Sequence, residues 1–533
     1  MGVVHCHETL WLDNFGFADV KVKSRPTSNT IYGIGSMTKG IVAAAVANLV
    51  ATGKLSSFDE QVKNVMPKSF SHQNEQVKND LTVRDLLSHR SGLSGFNSMS
   101  MAFQGDGEML LEKDQLFKVF AGLPQDAPLR SSWVYLLWGY SMVGAIIAEV
   151  SGQTLDEYLK TSVLKPLGMG STSVRPSELE KTGNLAKAYG ALSNAEPFEL
   201  PHRQLYEETF FEASGGLYSN IEDMLKWSKE VLGQLDETIP RNEPRGQLAS
   251  LVETTSSQIP VDNPNLRESS YGMGWIRAQL PNVVGLVGDA RDIWESRDDN
   301  PIFSVGPGSK IMIYHQGASV GYYSCMLLFP ETGSAVVVLT NTAALGDAAD
   351  WVARAVAEAL FLEPSPTDYQ ALAQRYKDDH LQKYADMQSQ ITAERDNSTK
   401  PGDLSPYKGR YHHERLQYFI DIDLASPEHG SDLVLRFQGH ELQTYQLRHH
   451  HHEVFEWSLL RDEAVKRGRY HWWDPAFFQM RFEAMNSGKF MKLVWTIDSD
   501  PQVGKEEFVR EASHQPGFFG RLLQFRHARS PKR

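Results

Sequence analysis

The chain has 533 residues, a formal net charge of −13, 41% hydrophobic residues and only two cysteines, Cys6 and Cys325. That length exceeds what one hydrophobic core usually fills, so two domains are the default. Interspersed acidic and basic residues argue against nucleic acid or an anionic membrane as partner, and two cysteines are too few for a disulfide framework and read as structural thiols.

Met1 is followed by neither the basic flank nor the apolar core of a signal peptide, and no apolar run is long enough to span a bilayer. A cytoplasmic chain is therefore expected. Residues 1 to about 23 alternate like strands, with turns near Glu8 and at Asn14-Phe15-Gly16. The run 31–35 reads as a strand or approach loop that delivers Ser36 onto the first turn of a helix over 37–51, ended by Gly53. In Ser36-Met37-Thr38-Lys39 the outer residues share one helix face, so the Lys39 amine can reach the Ser36 hydroxyl. A lysine desolvated among apolar neighbours can take that proton and make the serine a nucleophile, while helix-start N–H groups face any anion that forms. The spacing alone is weak: Ser162-Val163-Leu164-Lys165 repeats it just before Pro166-Leu167-Gly168 and reads as a surface pair.

Further along, 83–89 predicts a short helix closed by Arg90-Ser91-Gly92, and 140–151 a helix closed by Gly152. Gly215-Gly216-Leu217-Tyr218-Ser219 is a tight turn ahead of a helix capped by Ser219 or Asn220. Strands follow over 310–316, 322–329 and 334–340, then a helix from Asp347 to Leu362. Strands at both ends of a mostly helical middle predict a sheet whose outer strands come from the two termini of one domain. Residues 363–404 are polar, helical in pieces and broken at 397–402, which predicts a linker. Short alternating strands over 405–512 predict a small β-barrel or sandwich, and 513–533 end in a basic tail with Arg521, Arg526, Arg529, Lys532 and Arg533. The internal run His449-His450-His451-His452 alternates between strand faces, so at most two could share a metal, and incidental strand histidines are expected.

Five segments in order resemble the serine β-lactamase and penicillin-binding-protein-like hydrolases, especially class C-like esterases, peptidases and fungal secondary-metabolism acyltransferases. They are 30–39 with Ser36 and Lys39, Asp85-Leu86-Leu87-Ser88-His89-Arg90-Ser91-Gly92-Leu93, Tyr135 to Tyr140, the glycine turn at Gly215, and Tyr314-His315-Gln316-Gly317. The resemblance implies an α/β fold, a β-lactamase-like sheet flanked by a mostly helical subdomain over 1–362, with a lipocalin-like β-barrel appended. The family's usual helix ahead of the first strand has no counterpart, which leaves a reduced sheet edge or an incomplete chain as alternatives.

The resemblance also implies roles. Tyr135 stands where the family's tyrosine works with the lysine as general base. Leu137 stands where an asparagine holds the substrate's amide, and its side chain can neither donate nor accept. An apolar acyl chain would pack on Leu137 and Trp138 instead. His315-Gln316-Gly317 replaces Lys-Thr-Gly, in a manner resembling esterases; Gly317 admits close substrate approach, and the Ala318 N–H joins that of Ser36 as an oxyanion hole. His315 shares a strand face with Ile311 and Ile313, and the alternation leaves open which face meets the site.

The resulting expectation is a serine hydrolase or acyltransferase that forms an acyl-enzyme on a small-molecule ester, thioester or amide, with no cofactor or metal. Two alternatives stand beside it. One is a non-catalytic scaffold keeping the fold. The other is an α/β-hydrolase elbow at Gly317-Ala318-Ser319-Val320-Gly321, which needs a helix after Ser319 where the sequence predicts a strand.

Overall fold

The computed structural model describes residues 1–94, 109–200, 207–239, 245–261, 266–288, 300–425, 432–469, 474–485, 489–497 and 505–511. Contacts divide the chain into two units, Met1–Thr392 with Leu459–Asp474, and Ala393–Ser458 with the residues from Pro475 onward. The basic tail lies outside the described residues.

The first unit is built on an eight-stranded sheet. Its strands are β1 (Gly2–His5), β2 (Glu8–Leu12), β3 (Ile259–Pro260), β4 (Ser269–Tyr271), β5 (Ile276–Leu280), β6 (Lys310–Ser319), β7 (Tyr322–Phe329) and β8 (Ser334–Thr340), in the spatial order β2-β1-β8-β7-β6-β5-β4-β3. β7 and β8 are apolar runs buried on both faces, which is why they read so plainly from sequence. The N-terminal hairpin forms one edge as expected. The other edge is β3, so the late strands β6 to β8 lie inside the sheet rather than at its rim.

Helices cover both faces of the sheet. On one side α5 (Ala348–Leu360) is the layer; on the other lie the helices that carry the site. In chain order the principal helices are α1 (Thr38–Ala51), α2 (Val83–Leu87), α3 (Leu137–Ser151), α4 (Ile221–Gln234), α5 and α6 (Tyr369–Ala393). α1 is apolar nearly all round and buried along almost its whole length, as a central helix must be. α5 starts at Asp347, whose carboxylate accepts from the Asp350 N–H, and Ala349, Ala353 and Ala357 recur every fourth residue so that the helix sits close to the sheet.

The stretch expected to be a linker contains instead one continuous helix of 25 residues, α6. It buries Leu372, Tyr376, His380, Tyr384, Met387 and Ile391, a stripe with steps of three and four that the polar composition conceals. A short helix within Leu459–Asp474, Arg461–Lys466, also belongs to the first unit: Asp462 accepts from the Ser193 N–H and hydroxyl, and Arg461 donates to the Ala191 carbonyl.

The second unit is a closed eight-stranded barrel running from Gly409–His413 to Lys505–Arg510, its first and last strands paired through Tyr411 and Arg510. Phe437, Tyr445, Trp457, Phe477 and Trp495 are buried and in mutual ring contact, so the interior is an aromatic core. The first three histidines of the run lie on Thr444–His451, where a register shift between His449 and His451 lets both His449 and His450 be buried. His450 is held by Glu456 and Gln479, and among the described residues no cluster of ligands could hold a metal ion. No helix among the described residues is long and apolar enough to cross a membrane.

Candidate active site

The turn bearing Ser36 and the end of β6 are fitted backbone to backbone. Tyr32–Gly33 pairs with Tyr218–Ser219, and the chain then enters a single 3-10 turn, Gly35–Met37, so Ser36 precedes α1 rather than starting it. Gly35 has φ +48°, and a Cβ there would stand 2.7 Å from the Ala318 nitrogen. At Gly317 a Cβ would stand 2.1 Å from the Ile34 carbonyl oxygen. Only glycine at both positions lets the turn bearing Ser36 lie against Ala318, and the Ser324 hydroxyl bridges to Ile34 O at 2.9 Å.

Ser36 is half-buried, whereas Lys39 is fully buried. Lys39 Nζ lies 2.8 Å from Ser36 Oγ and 2.6 Å from the Ser214 carbonyl, and burial holds its pKa well below the usual lysine value. The rings of Tyr135 and Tyr140 lie beside the amine, 4.8 and 5.4 Å from Nζ to their centroids. The Tyr135 hydroxyl is buried without a hydrogen bond of normal geometry; burial pushes its pKa up, and its interaction with Ser36 offsets part of that. That conjunction brings Ser36, Lys39 and Tyr135 together as one cluster.

His315 belongs to the same cluster, which answers the question of strand face: Met312 and Tyr314 pack toward α5, and His315 toward Lys39. Its Nδ1 lies 2.5 Å from the Gln316 carbonyl, which can only accept, so the proton is on Nδ1 and Nε2 accepts from Tyr271 Oη at 3.1 Å. Burial, reinforced by Lys39, pushes its pKa down to about 3, so the ring is neutral. With both nitrogens engaged, His315 is not a free base. Tyr271 and the Ser214 carbonyl are site features that sequence reasoning missed. The Gly272 and Gly274 that flank Met273 after Tyr271 were the available signal, since a Cβ at Gly274 would strike the Lys39 carbonyl.

The remaining residues divide. Leu137 is half-buried at the first position of α3. Trp138 is fully buried, stacked on Phe210 at 4.5 Å and against Phe211, and has no accessible surface to offer a substrate. Ser162 is buried and donates to Tyr158 O, with Lys165 exposed, so that second tetrad makes no pair. Ser319 ends β6, and β7 returns antiparallel after two residues; the strand-turn-helix that an elbow requires is absent there, which removes the Ser319 alternative.

A family model described as Beta-lactamase matches residues 1–360, and one described as a domain of unknown function (DUF3471) matches 393–510. The chain belongs to the Beta-lactamase family. It is 24% identical over 341 residues to an unguisins hydrolase of Aspergillus campestris, covering 62% of this chain and 56% of that protein. It is 23% identical over 290 residues to penicillin-binding protein 4* of Bacillus subtilis, covering 52% of this chain and 59% of that protein. The matches thus span little more than half the length of these relatives. Among solved structures, an octameric penicillin-binding protein homologue from Pyrococcus abyssi aligns with TM-score 0.53 at 20% identity, covering 96% of this chain and 95% of that one. A class C beta lactamase from Rhodobacter sphaeroides aligns with TM-score 0.50 at 19% identity over 68% of this chain and 94% of that one. The fold expected from the sequence is the fold found.

Proposed function

We propose that the protein is a serine hydrolase that works through an acyl-enzyme on Ser36. The observation that carries this reading is the 2.8 Å contact between Ser36 Oγ and a lysine amine that is fully buried and whose other hydrogen bond among the described residues goes to a neutral carbonyl. A neutral amine at that distance accepts the hydroxyl proton as Oγ bonds to the substrate's carbonyl carbon. The oxyanion that forms is held by the Ser36 and Ala318 N–H groups, which the interlocked glycines support as neighbours. The proton passes by way of Tyr135 to the leaving group, the carbon–leaving group bond breaks, and the acyl chain remains on Ser36. Water then releases an acid, or an alcohol or amine takes the acyl group; relatives named as hydrolases favour water.

The substrate reading is an ester or thioester with an uncharged acyl part. His315 is neutral where many relatives carry a lysine, and Leu137 leaves an amide without a polar partner. Acylation of the whole protein by a panel of simple esters, thioesters and peptides, followed by intact mass, tests this. A stable or transient adduct from esters, lost in Ser36→Ala, is expected; a chain that no acyl donor modifies would favour the scaffold reading.

A further inference from the structure

We propose that His89 is the positioning residue for Tyr135, gripping the chain on both sides of it; the inference rests on the reading of Tyr135 as part of the catalytic machinery. The Val134 N–H donates to the His89 carbonyl at 2.9 Å, and the Leu136 N–H donates to His89 Nδ1 at 3.0 Å. Both amides flanking Tyr135 are thus tied to one residue. The His89 ring also packs on the Tyr135 ring, 4.3 Å between centroids, so the phenol is fixed by backbone and by face.

The grip is itself anchored. His89 has φ +57°, at the end of the turn that follows α2. Next to it, Arg90 and Arg130 both ion-pair with the buried Asp85, and the Arg130 N–H donates to the Arg90 carbonyl at 2.8 Å. From Arg130 to Leu136 the segment that carries Tyr135 is therefore laced to the turn at His89 and Arg90.

Accepting from Leu136 requires Nδ1 to be unprotonated, so the neutral ring carries its proton on Nε2. Burial, the largest cause, holds the ring in the neutral form. Among the described residues Nε2 is buried without a hydrogen-bond partner, and the ring lies among those of Tyr140 and Tyr271, 5.3 and 4.9 Å away. A buried donor left unpaired is a cost that a purely structural side chain would not need to bear. An imidazolium would put a second N–H against Leu136 and open the grip.

The test uses the full chain, an aryl ester and four variants. His89→Leu keeps bulk and removes the acceptor. His89→Asn keeps an acceptor at the Nδ1 position, and asparagine tolerates the left-handed backbone. His89→Leu is expected to lower kcat by between about tenfold and a hundredfold, with KM changed less than about threefold, since small misplacement of a reacting group costs on that order. His89→Asn is expected to recover most of it. In a Tyr135→Phe background, His89→Leu is expected to add almost nothing, because the two act as a unit. On the wild type, histidine ¹⁵N shifts, assigned by difference from the Asn variant, are expected to place the His89 proton on Nε2. A folded His89→Leu with wild-type kcat, multiplicative effects in the double variant, or an Nδ1–H tautomer would each overturn the proposal. Should His89→Leu fail to fold, the tautomer and His89→Asn decide it in the same directions. A silent Tyr135→Phe would instead overturn the reading of Tyr135 on which it rests.

Discussion

The carbonyl oxygen of Ser214 accepts a 2.6 Å hydrogen bond from Lys39 Nζ. That acceptor is neutral, so it orients the amine without stabilising the ammonium as a carboxylate would, and burial lowers the Lys39 pKa. One N–H is thus directed at Ser214, which leaves the nitrogen lone pair free to turn toward Ser36 at 2.8 Å.

Lys39→Arg is expected to be nearly as damaging as Lys39→Ala, because a guanidinium cannot deprotonate in the working range. Base catalysis contributes on the order of a hundredfold or more. Retention of more than about a tenth of the wild-type ester kcat by Lys39→Arg would assign the lysine an electrostatic role only.

The pH dependence has a fixed sign. With Lys39 as the proposed base, the form that reacts carries it neutral; its pKa is lowered in the folded chain, so acylation is expected to rise with pH and level off well below the ordinary lysine value of about 10.4. His315 is already neutral, with a pKa pushed down to about 3, and adds no limb near neutrality. A stopped-flow pH profile of acylation checks this. A limb falling with rising pH between about 5 and 8, where an unperturbed histidine titrates, would contradict it.

Leu137→Asn is expected to shift the ratio of ester to amide or lactam acylation toward amides by something like tenfold, the rate equivalent of about 1.4 kcal/mol. The physical cause is that an amide's polar groups go unpaired beside leucine at a cost of about 1 to 3 kcal/mol. Paired kcat/KM values for an aryl ester and a penicillin measure the ratio. Efficient lactam turnover by the unchanged chain would place substrate recognition elsewhere.

Stability at low pH should report on Asp85. Burial pushes its pKa up, but hydrogen bonds and charge from Arg130, Thr82 and Arg90 outweigh that, and the net shift is downward. A depressed folded pKa contributes stability that is complete above the unfolded value of about 3.9 and is lost as pH falls through the folded one. Asp85→Asn leaves two guanidinium partners unpaired and is expected to cost on the order of 3 kcal/mol at neutral pH. Urea unfolding of the variant and the wild type at pH 7 and pH 3 checks both statements: the gap should be large at the first and smaller at the second.

Much of this fold was legible in the chain. β7, β8 and the start of α5 follow from apolar runs closed by Pro-Glu-Thr-Gly and from Asp347 as an N-cap, all local signals. Ser36 and Lys39 were legible because three residues on one turn fix their distance. What failed was non-local or masked. The stripe in α6 is diluted by charged residues, and the helix at Arg461–Lys466 belongs to a unit whose other residues end at Thr392. Trp138 sits one helix position from Leu137 yet points into a core made by Phe210 and Phe211, which periodicity does not reveal. Tyr271 reaches His315 only because β4, β5 and β6 are neighbours in the sheet.

The central claim is that Ser36 is the nucleophile, and intact-mass detection of a fluorophosphonate adduct tests it most directly. The account predicts a single adduct on the wild type, mapped by peptide mass to the Ser36 segment. It also predicts no adduct on Ser36→Ala and undiminished labelling of Ser162→Ala and Ser319→Ala, whose hydroxyls stand outside the Lys39 cluster. A Ser36→Ala protein that still labels, or a wild type whose labelling disappears only with Ser319→Ala, would contradict it.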